Sequence, residues 1–456
     1  MLRRKIYDRI MEWKNRDHKC LLVKGQRQVG KTYIIEKFGR ENYENVVILN
    51  FMKNADLKKI FEGNLDVDSI LKALSMFLPE EKLIPGETLI ILDEIQDCPR
   101  ARTALKFFSI DGRFDVIATG SLLGVNIRRN KPMGEEYAPV PVGFEEHMTM
   151  YSLDFEEFLW ANGIRDDVIE DIRGCIERKE PLGPAYMDRL WNLFKDFMII
   201  GGMPEAVQEF IDSKDYRTTG AIIDSLIESA KADMNRYNDP LMASKIVSCY
   251  TSIPSQLSES NKKFMYSRID GTGSRKSGEM YSESLEWVVN AGYCNPCRKL
   301  STIGSPLMSK EVRGQYKAYM SDTGMLMHMY DEAALRAIYL DDFSYNMGAV
   351  AENVVAECLV KAGYVPRYYS NNKGSGRMEL DFVVGLGSEI VVLEVKSGKS
   401  REYPSLSKVP EYFNVDRRIV LERSDIHVTD DGVEHYPIFA AAFLESMEKP
   451  WDGPVF

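Results

Sequence analysis

One stretch fixes what the first third of this chain can become. A short apolar run, Cys20-Leu21-Leu22-Val23-Lys24, feeds into Gly25-Gln26-Arg27-Gln28-Val29-Gly30-Lys31-Thr32, and a helix-compatible segment follows. Strand, glycine-bounded loop and helix in that order make a phosphate-binding loop. Its backbone N–H groups turn inward around phosphate, and the helix from Thr32 points its positive end at them. Gly25, Gln28, Val29 and Gly30 form the cradle; Lys31 is expected to reach the outer phosphates and the Thr32 hydroxyl to ligate magnesium. The same eight-residue pattern also arises as a surface turn, and the strand before it and the helix after it argue against that.

A cradle alone hydrolyses nothing, so a second, acidic strand is needed. Thr88-Leu89-Ile90-Ile91-Leu92 is a continuous apolar run of the kind buried on both faces, and it ends in Asp93-Glu94-Ile95-Gln96. Asp93 suits a magnesium partner and Glu94 the base that polarises water. A third run, Phe114 to Ala118, ends in Thr119-Gly120-Ser121. Thr119 is read as a sensor of the terminal phosphate; a simple helix cap is the plainer reading.

The 456 residues, 44% hydrophobic and 28% charged, are enough for several cores. No apolar run approaches the roughly 20 residues needed to cross a bilayer, and the basic N-terminus continues into an amphipathic helix instead of a leader. A cytoplasmic location without membrane contact is the expectation. Seven scattered cysteines make no disulfide framework. The close pair, Cys294 and Cys297, lacks two further ligands with zinc spacing, so packing is the favoured reading. The net charge of −11 confines any DNA contact to a local patch.

Along the chain, strands alternating with helical runs predict a P-loop NTPase parallel sheet over 1–153, with Glu146 to Leu153 as its last strand. Arg128-Arg129 to Gly134 reads as a loop. Helices fill 154–240 and read as a lid; within them Gly201-Gly202-Met203-Pro204 is either a plain helix junction or a turn placing Pro204 near adenine. Residues 241–330 read as a winged helix, with Ser274-Arg275-Lys276-Ser277 either a groove-reading cap or a solvated one. Residues 331–456 read as a further α/β domain.

That last segment holds a second acidic site. Met378 to Val384 and Glu389 to Lys396 read as a hairpin across Gly385-Leu386-Gly387-Ser388. If Val384 pairs with Glu389, strand alternation puts Glu379, Asp381 and Glu394 on one face with Lys396. Crowded carboxylates need a counter-charge: magnesium at Asp381 and Glu394, with Lys396 helping water attack a phosphodiester, or Lys396 alone as internal counter-ion. Glu352 lies at the edge of an apolar helical stripe, facing that site or water.

With these segments in view, the chain resembles an archaeal and bacterial family in which an AAA-type ATPase is joined to a C-terminal domain of unknown function with a restriction-endonuclease-like core. The likeness rests on Gln28 to Thr32, Leu92 to Gln96, Thr119 to Ser121, Leu153 to Phe158, Gly201 to Glu205, Asp322 to Leu326, Glu352-Asn353, Asp381 and Glu394-Val395-Lys396. It implies ATP binding, hydrolysis with magnesium, and a nuclease-like pattern at Asp381, Glu394 and Lys396. Many relatives carry a Gly-Arg pair just before the last ATPase strand; here the corresponding region offers only Arg128 and Arg129 further upstream, so no arginine trigger is assigned. Two outputs compete: a magnesium nuclease or DNA-binding module regulated by ATP, or a protein-interaction module on an ATPase. A nucleotide kinase is a distant third.

Overall fold

A computed structural model describes residues 2–121, 143–236, 239–259, 261–269, 277–342, 347–372, 374, 376–398 and 403–448. Arg128, Arg129, Ser274, Arg275 and Lys276 lie outside these residues, as does the side chain of Ser277. The chain divides into two units, one of Arg4–Ser152 with Asn290–Gly292, the other of Leu153–Val289 and Tyr293–Phe456 with the first three residues.

The first unit is built on a five-stranded sheet: β1 (Cys20–Gly25), β2 (Asn45–Asn50), β3 (Thr88–Asp93), β4 (Asp115–Ser121) and β5 (Glu145–Met150). Their order is β2-β3-β4-β1-β5 and all pair in parallel. Parallel strands need crossover connections, and α2 (Lys31–Asn42), α3 (Val67–Phe77) and α4 (Pro99–Asp111) lie in those from β1 to β2, β2 to β3 and β3 to β4, while α1 (Lys5–Lys14) precedes β1. Alternation sorts the side chains. Leu22, Val47, Leu49, Ile90, Leu92 and Val116 share a core with α3 and α4. On the other face α2 sits so close that a Cβ on Gly39 would meet Leu89 at 3.0 Å and Val46 at 3.1 Å. With both faces covered, the central strands become continuous apolar runs, as Leu89 to Leu92 shows.

The second unit carries an eight-stranded mixed sheet, in the order β12-β13-β11-β10-β9-β8-β6-β7. The strands are β6 (Cys294–Leu300), β7 (Glu311–Met320), β8 (Arg367–Asn371), β9 (Met378–Leu386), β10 (Glu389–Val395), β11 (Arg417–Glu422), β12 (His427–Val428) and β13 (Glu434–Pro437). The winged-helix reading puts β6 and β7 in a small sheet of their own. They instead extend the C-terminal sheet, because β6 also pairs in parallel with β8 through Arg298 and Arg367. Cys294 and Cys297 are both buried, and three residues apart on a strand they point to opposite faces, so one ion cannot take both.

The helices of this unit include α5 (Phe155–Ala161), α6 (Asp166–Arg178), α7 (Pro184–Ile200), α8 (Pro204–Ser213), α9 (Tyr216–Arg236), α10 (Pro240–Leu257), α11 (Ser277–Asn290), α12 (Thr323–His328), α13 (Glu332–Tyr339), α14 (Met347–Lys361) and α15 (Pro404–Tyr412). Asp154 opens α5 with a reciprocal capping box to Glu157. Among the described residues no helix is long and apolar enough to cross a membrane.

Three sequence segments that look unrelated meet at the turn between α7 and α8. Asp322 caps α12 and also accepts the Gly202 N–H at 2.9 Å. Gly202 accepts from Leu153 N at 2.7 Å, and the buried Lys361 ammonium donates to Leu153 O at 2.7 Å and to Glu357 at 2.6 Å. Glu357 in turn accepts from Thr323 N at 2.7 Å. Burial pushes the Glu357 carboxyl up to about 7 against the pull of Lys361. No side chain fits between these backbones: a Cβ on Gly202 would lie 2.0 Å from Leu153 O, and one on Gly324 would lie 2.3 Å from Ile200. Gly202→Ala is therefore expected to lower unfolding free energy by about 2–4 kcal/mol in urea titration, the range of severe backbone and packing lesions. Gly304→Ala, whose Cβ would meet open space, serves as the near-neutral comparison.

Candidate functional site

The loop after β1 has the backbone its sequence demands. Gln28 (φ 64°) and Gly30 (φ 91°) are both left-handed, which turns successive amides to the inside; the non-glycine Gln28 bears about 1–2 kcal/mol of strain for it. Below the loop, Gly25 lies so near β5 that a Cβ would meet Met150 O at 2.2 Å. Val29 is fully buried, and its carbonyl accepts from the Arg4 guanidinium at 3.0 Å while the same group reaches Tyr151 O at 2.7 Å. Arg4, just ahead of α1, thus braces the loop. Nothing in the basic N-terminal run marks it apart from its neighbours.

Lys31 begins α2 and is 8% exposed, with Nζ donating to Gly25 O at 3.1 Å and Gln26 O at 2.8 Å. Burial pulls its ammonium down to about 8, with Glu94 and Asp93 opposing. Asp93 is the hub of the site. One carboxylate oxygen accepts from Thr32 Oγ1 at 3.0 Å and from the Thr119 hydroxyl, and the other from Asn50 Nδ2 at 2.6 Å. The parallel register produces this: Asn50 is the β-partner of Asp93, and Thr119 lies one strand further along, at the end of β4. The structure therefore gathers Lys31, Thr32, Asp93 and Thr119 at the C-terminal edge of the sheet, with Glu94 following in a left-handed conformation (φ 54°) and bonded to the Gln96 amide. Asn50 was not singled out from sequence. Its signal was there, a polar residue closing an apolar strand as Asp93 does.

Pro204 is the first residue of α8, behind the Gly201-Gly202 turn clamped by Asp322. Its sequence neighbours are explained by that clamp.

The C-terminal acids meet in another way than expected. Glu389 pairs with Leu386, not Val384, because Gly387 (φ 57°) allows a two-residue turn; Val384 pairs with Val391. A bulge in β9 adds a residue between the Val383 and Leu380 pairings, so Leu380 and Val383 join one apolar cluster and strict alternation is lost. Asp381 then accepts from Val395 N at 2.9 Å, next to Glu394. Glu394 is 7% exposed; one oxygen takes Lys396 Nζ at 2.8 Å and the other is buried with no partner.

Between the acids lies a cation the sequence did not reveal. Lys317 of β7 is 1% exposed and approaches Glu352 at 3.4 Å, Glu379 at 3.4 Å and Asp381 at 3.9 Å. Glu352 of α14 also takes Tyr319 OH at 2.8 Å and the Lys262 ammonium. Its carboxyl is held down to about 2 by Lys317 and Lys262 against burial. Burial pushes Asp381 well above the ordinary carboxylate range, reinforced by Glu352 and Glu394, and Glu394 also rises. A single lysine in an alternating strand reads as solvated; here Glu352 of α14, Glu379 and Asp381 of β9 and the Tyr368 ring surround it.

Comparison with known families finds an AAA domain (AAA_14) at residues 17–159 and two domains of unknown function, DUF8612 at 192–336 and DUF4143 at 347–439. In a comparison with curated proteins none matches. Among solved structures the chain is similar to the Walker-type ATPase PABY2304 of Pyrococcus abyssi, at 13% identity and TM-score 0.43 over 72% of this chain and 96% of that one. It is also similar to the Thermotoga maritima RuvB Holliday junction branch migration motor, at 12% identity and TM-score 0.30 over 64% and 89%. A third is the STAND protein PH0952 of Pyrococcus horikoshii, at 13% identity and TM-score 0.25 over 78% and 48%. Residues 17–159 match an AAA domain, their parallel five-stranded sheet fits a P-loop NTPase core, and further α/β structure follows.

Asn50→Ala leaves one oxygen of the buried Asp93 without its donor. Hydrogen bonds to charged groups contribute about 1.5–3 kcal/mol, so a stability loss of that size is expected in chemical denaturation. A change within error would show that Asp93 is held without Asn50.

Proposed function

We propose that the chain hydrolyses ATP with magnesium and uses the cycle to control a C-terminal restriction-endonuclease-like module. The observation that carries the first half is the Asp93 carboxylate tied at once to Thr32 and Thr119. Thr32 and Asp93 offer only oxygen, the donor set magnesium prefers, and a bound magnesium ion supplies charge neutralisation between the phosphates. Lys31 leaves the two loop carbonyls to meet phosphate, Glu94 takes the proton of the attacking water, and Thr119 is poised to hydrogen-bond the terminal group. Gln96 restrains Glu94 in that role. Pro204 remains the sequence-based candidate for the adenine contact.

For the distal module, a nuclease reading is supported by Asp381 and Glu394 lying together with raised proton affinity, an unpartnered Glu394 oxygen and Lys396 alongside. One divalent ion there would replace protons as the counter-charge. A second reading is favoured by one observation: Lys317 already supplies a fixed cation to Glu352, Glu379 and Asp381, which suits a module that retains the fold for protein contact. DNA would be the partner in the first case and a protein in the second. Incubation with labelled DNA and magnesium, with and without ATP, separates them: cleavage lost in Asp381→Asn supports the nuclease, and an uncut substrate supports the interaction module.

Glu94→Gln is expected to bind nucleotide while phosphate release falls by about 10²-fold or more, the usual contribution of a general base. Asp381→Asn should leave that release unchanged. Wild-type turnover in Glu94→Gln would remove Glu94 from the reaction. Lys31 sets the pH behaviour. Its pKa of about 8 in the ligand-free site rises again beside phosphate, so at about pH 8.5 binding takes up a proton, and at about pH 6.5, where the ammonium is already charged, Lys31 contributes none. Calorimetry in buffers of different ionisation enthalpy reads this directly.

A further inference from the structure

The sequence shows no pair of histidines at zinc-finger spacing, yet the far edge of the eight-stranded sheet brings two together. His427 of β12 and His435 of β13 are direct cross-strand partners, and their rings stack with centroids 4.3 Å apart and planes at 16°. Glu422 closes β11, the next strand, and its Oε1 lies 2.7 Å from His435 Nδ1. One donor atom from each of Glu422, His427 and His435 falls within 4.8 Å of the other two. Ligands of a single tetrahedral ion at about 2.0–2.2 Å must stand at such short mutual separations.

Protein contacts leave this cluster incomplete. His427 uses Nδ1 on Asp425 O at 2.9 Å, which fixes the ring and leaves Nε2 as donor; a metal-bound histidine is oriented by this kind of backbone contact. His435 is 4% exposed, and its Nε2 is buried without any partner. A hydrogen bond to Glu422 accounts for one nitrogen of that ring and not for the other. Because Glu422 faces Nδ1, that nitrogen is the one an ion shared with Glu422 would take, in place of the proton between them.

We propose that Glu422, His427 and His435 bind one divalent transition-metal ion of the zinc class. Two imidazoles and a carboxylate suit zinc and its neighbours, and disfavour magnesium and calcium, which take oxygen. Three protein ligands with His427 at the surface leave a fourth position open to water. The ion ties the two-residue strand β12, which pairs with β13 at the sheet edge, to β11. The site is distinct from the acids of the hairpin: His435 registers with Val420, and Val420 with Glu394, so a whole strand lies between.

The test is calorimetric titration of the full chain with zinc chloride in buffer already containing magnesium. The expected result is about one equivalent bound by the wild type and by Asp381→Asn, with affinity at least about tenfold weaker in His427→Ala. His427 is exposed, so its removal spares the core should His435→Ala fail to fold. X-ray absorption of the zinc-loaded protein should show imidazole scattering. Undiminished affinity in His427→Ala overturns the proposal, as does binding lost only in Cys175→Ser, the half-buried thiol, or only in Asp381→Asn.

Discussion

The first unit depends on one carboxylate. Asp93 stands at the end of a strand with no exposed residue, 1% exposed itself, and such a charge persists only when its lone pairs are filled. Asn50, Thr32 and Thr119 fill them from three separate segments. Loop, helix start and two strand ends are thereby held at common distances. The phosphate cradle and the acid beside it form one rigid constellation because a buried charge requires it.

The second unit solves the same problem twice. Around Asp322, a carboxylate, a buried Glu357–Lys361 pair and three glycines lock the α7–α8 turn to α12 and α14, which explains why those short motifs occur together in one chain. Around Lys317, an ammonium is enclosed by Glu352, Glu379 and Asp381 with Tyr319 closing the set. Removing one partner of such a group strands the others in a medium that cannot solvate them, so each cluster is rigid for electrostatic reasons as much as for packing. At Glu394 one carboxylate oxygen is buried without a hydrogen-bond partner, while the other takes Lys396.

Much of this was legible from residues alone, and the reason is locality. The cradle, the strand that ends in Asp93-Glu94, the helix after Lys31 and the capping box at Asp154 are written in runs of a few neighbours whose periodicity and cap chemistry act over one or two turns. The hairpin around Gly387 was legible as a hairpin but not in register. A two-residue turn and a bulge shift pairing by amounts that alternation cannot distinguish from a longer loop.

By itself the sequence determined the identity of the phosphate loop, the acidic strand, and the presence of a second acidic segment, since each needs only contiguous residues. Tertiary structure alone decided that Asn50 and Arg4 serve the first site, that β6 and β7 extend the C-terminal sheet, that Lys317 becomes an internal cation, and that His427 meets His435 and Glu422. Those outcomes turn on which strands lie side by side and which faces are covered. Strand neighbours are set by the burial of whole faces, a property of the assembled core that no short window of residues contains.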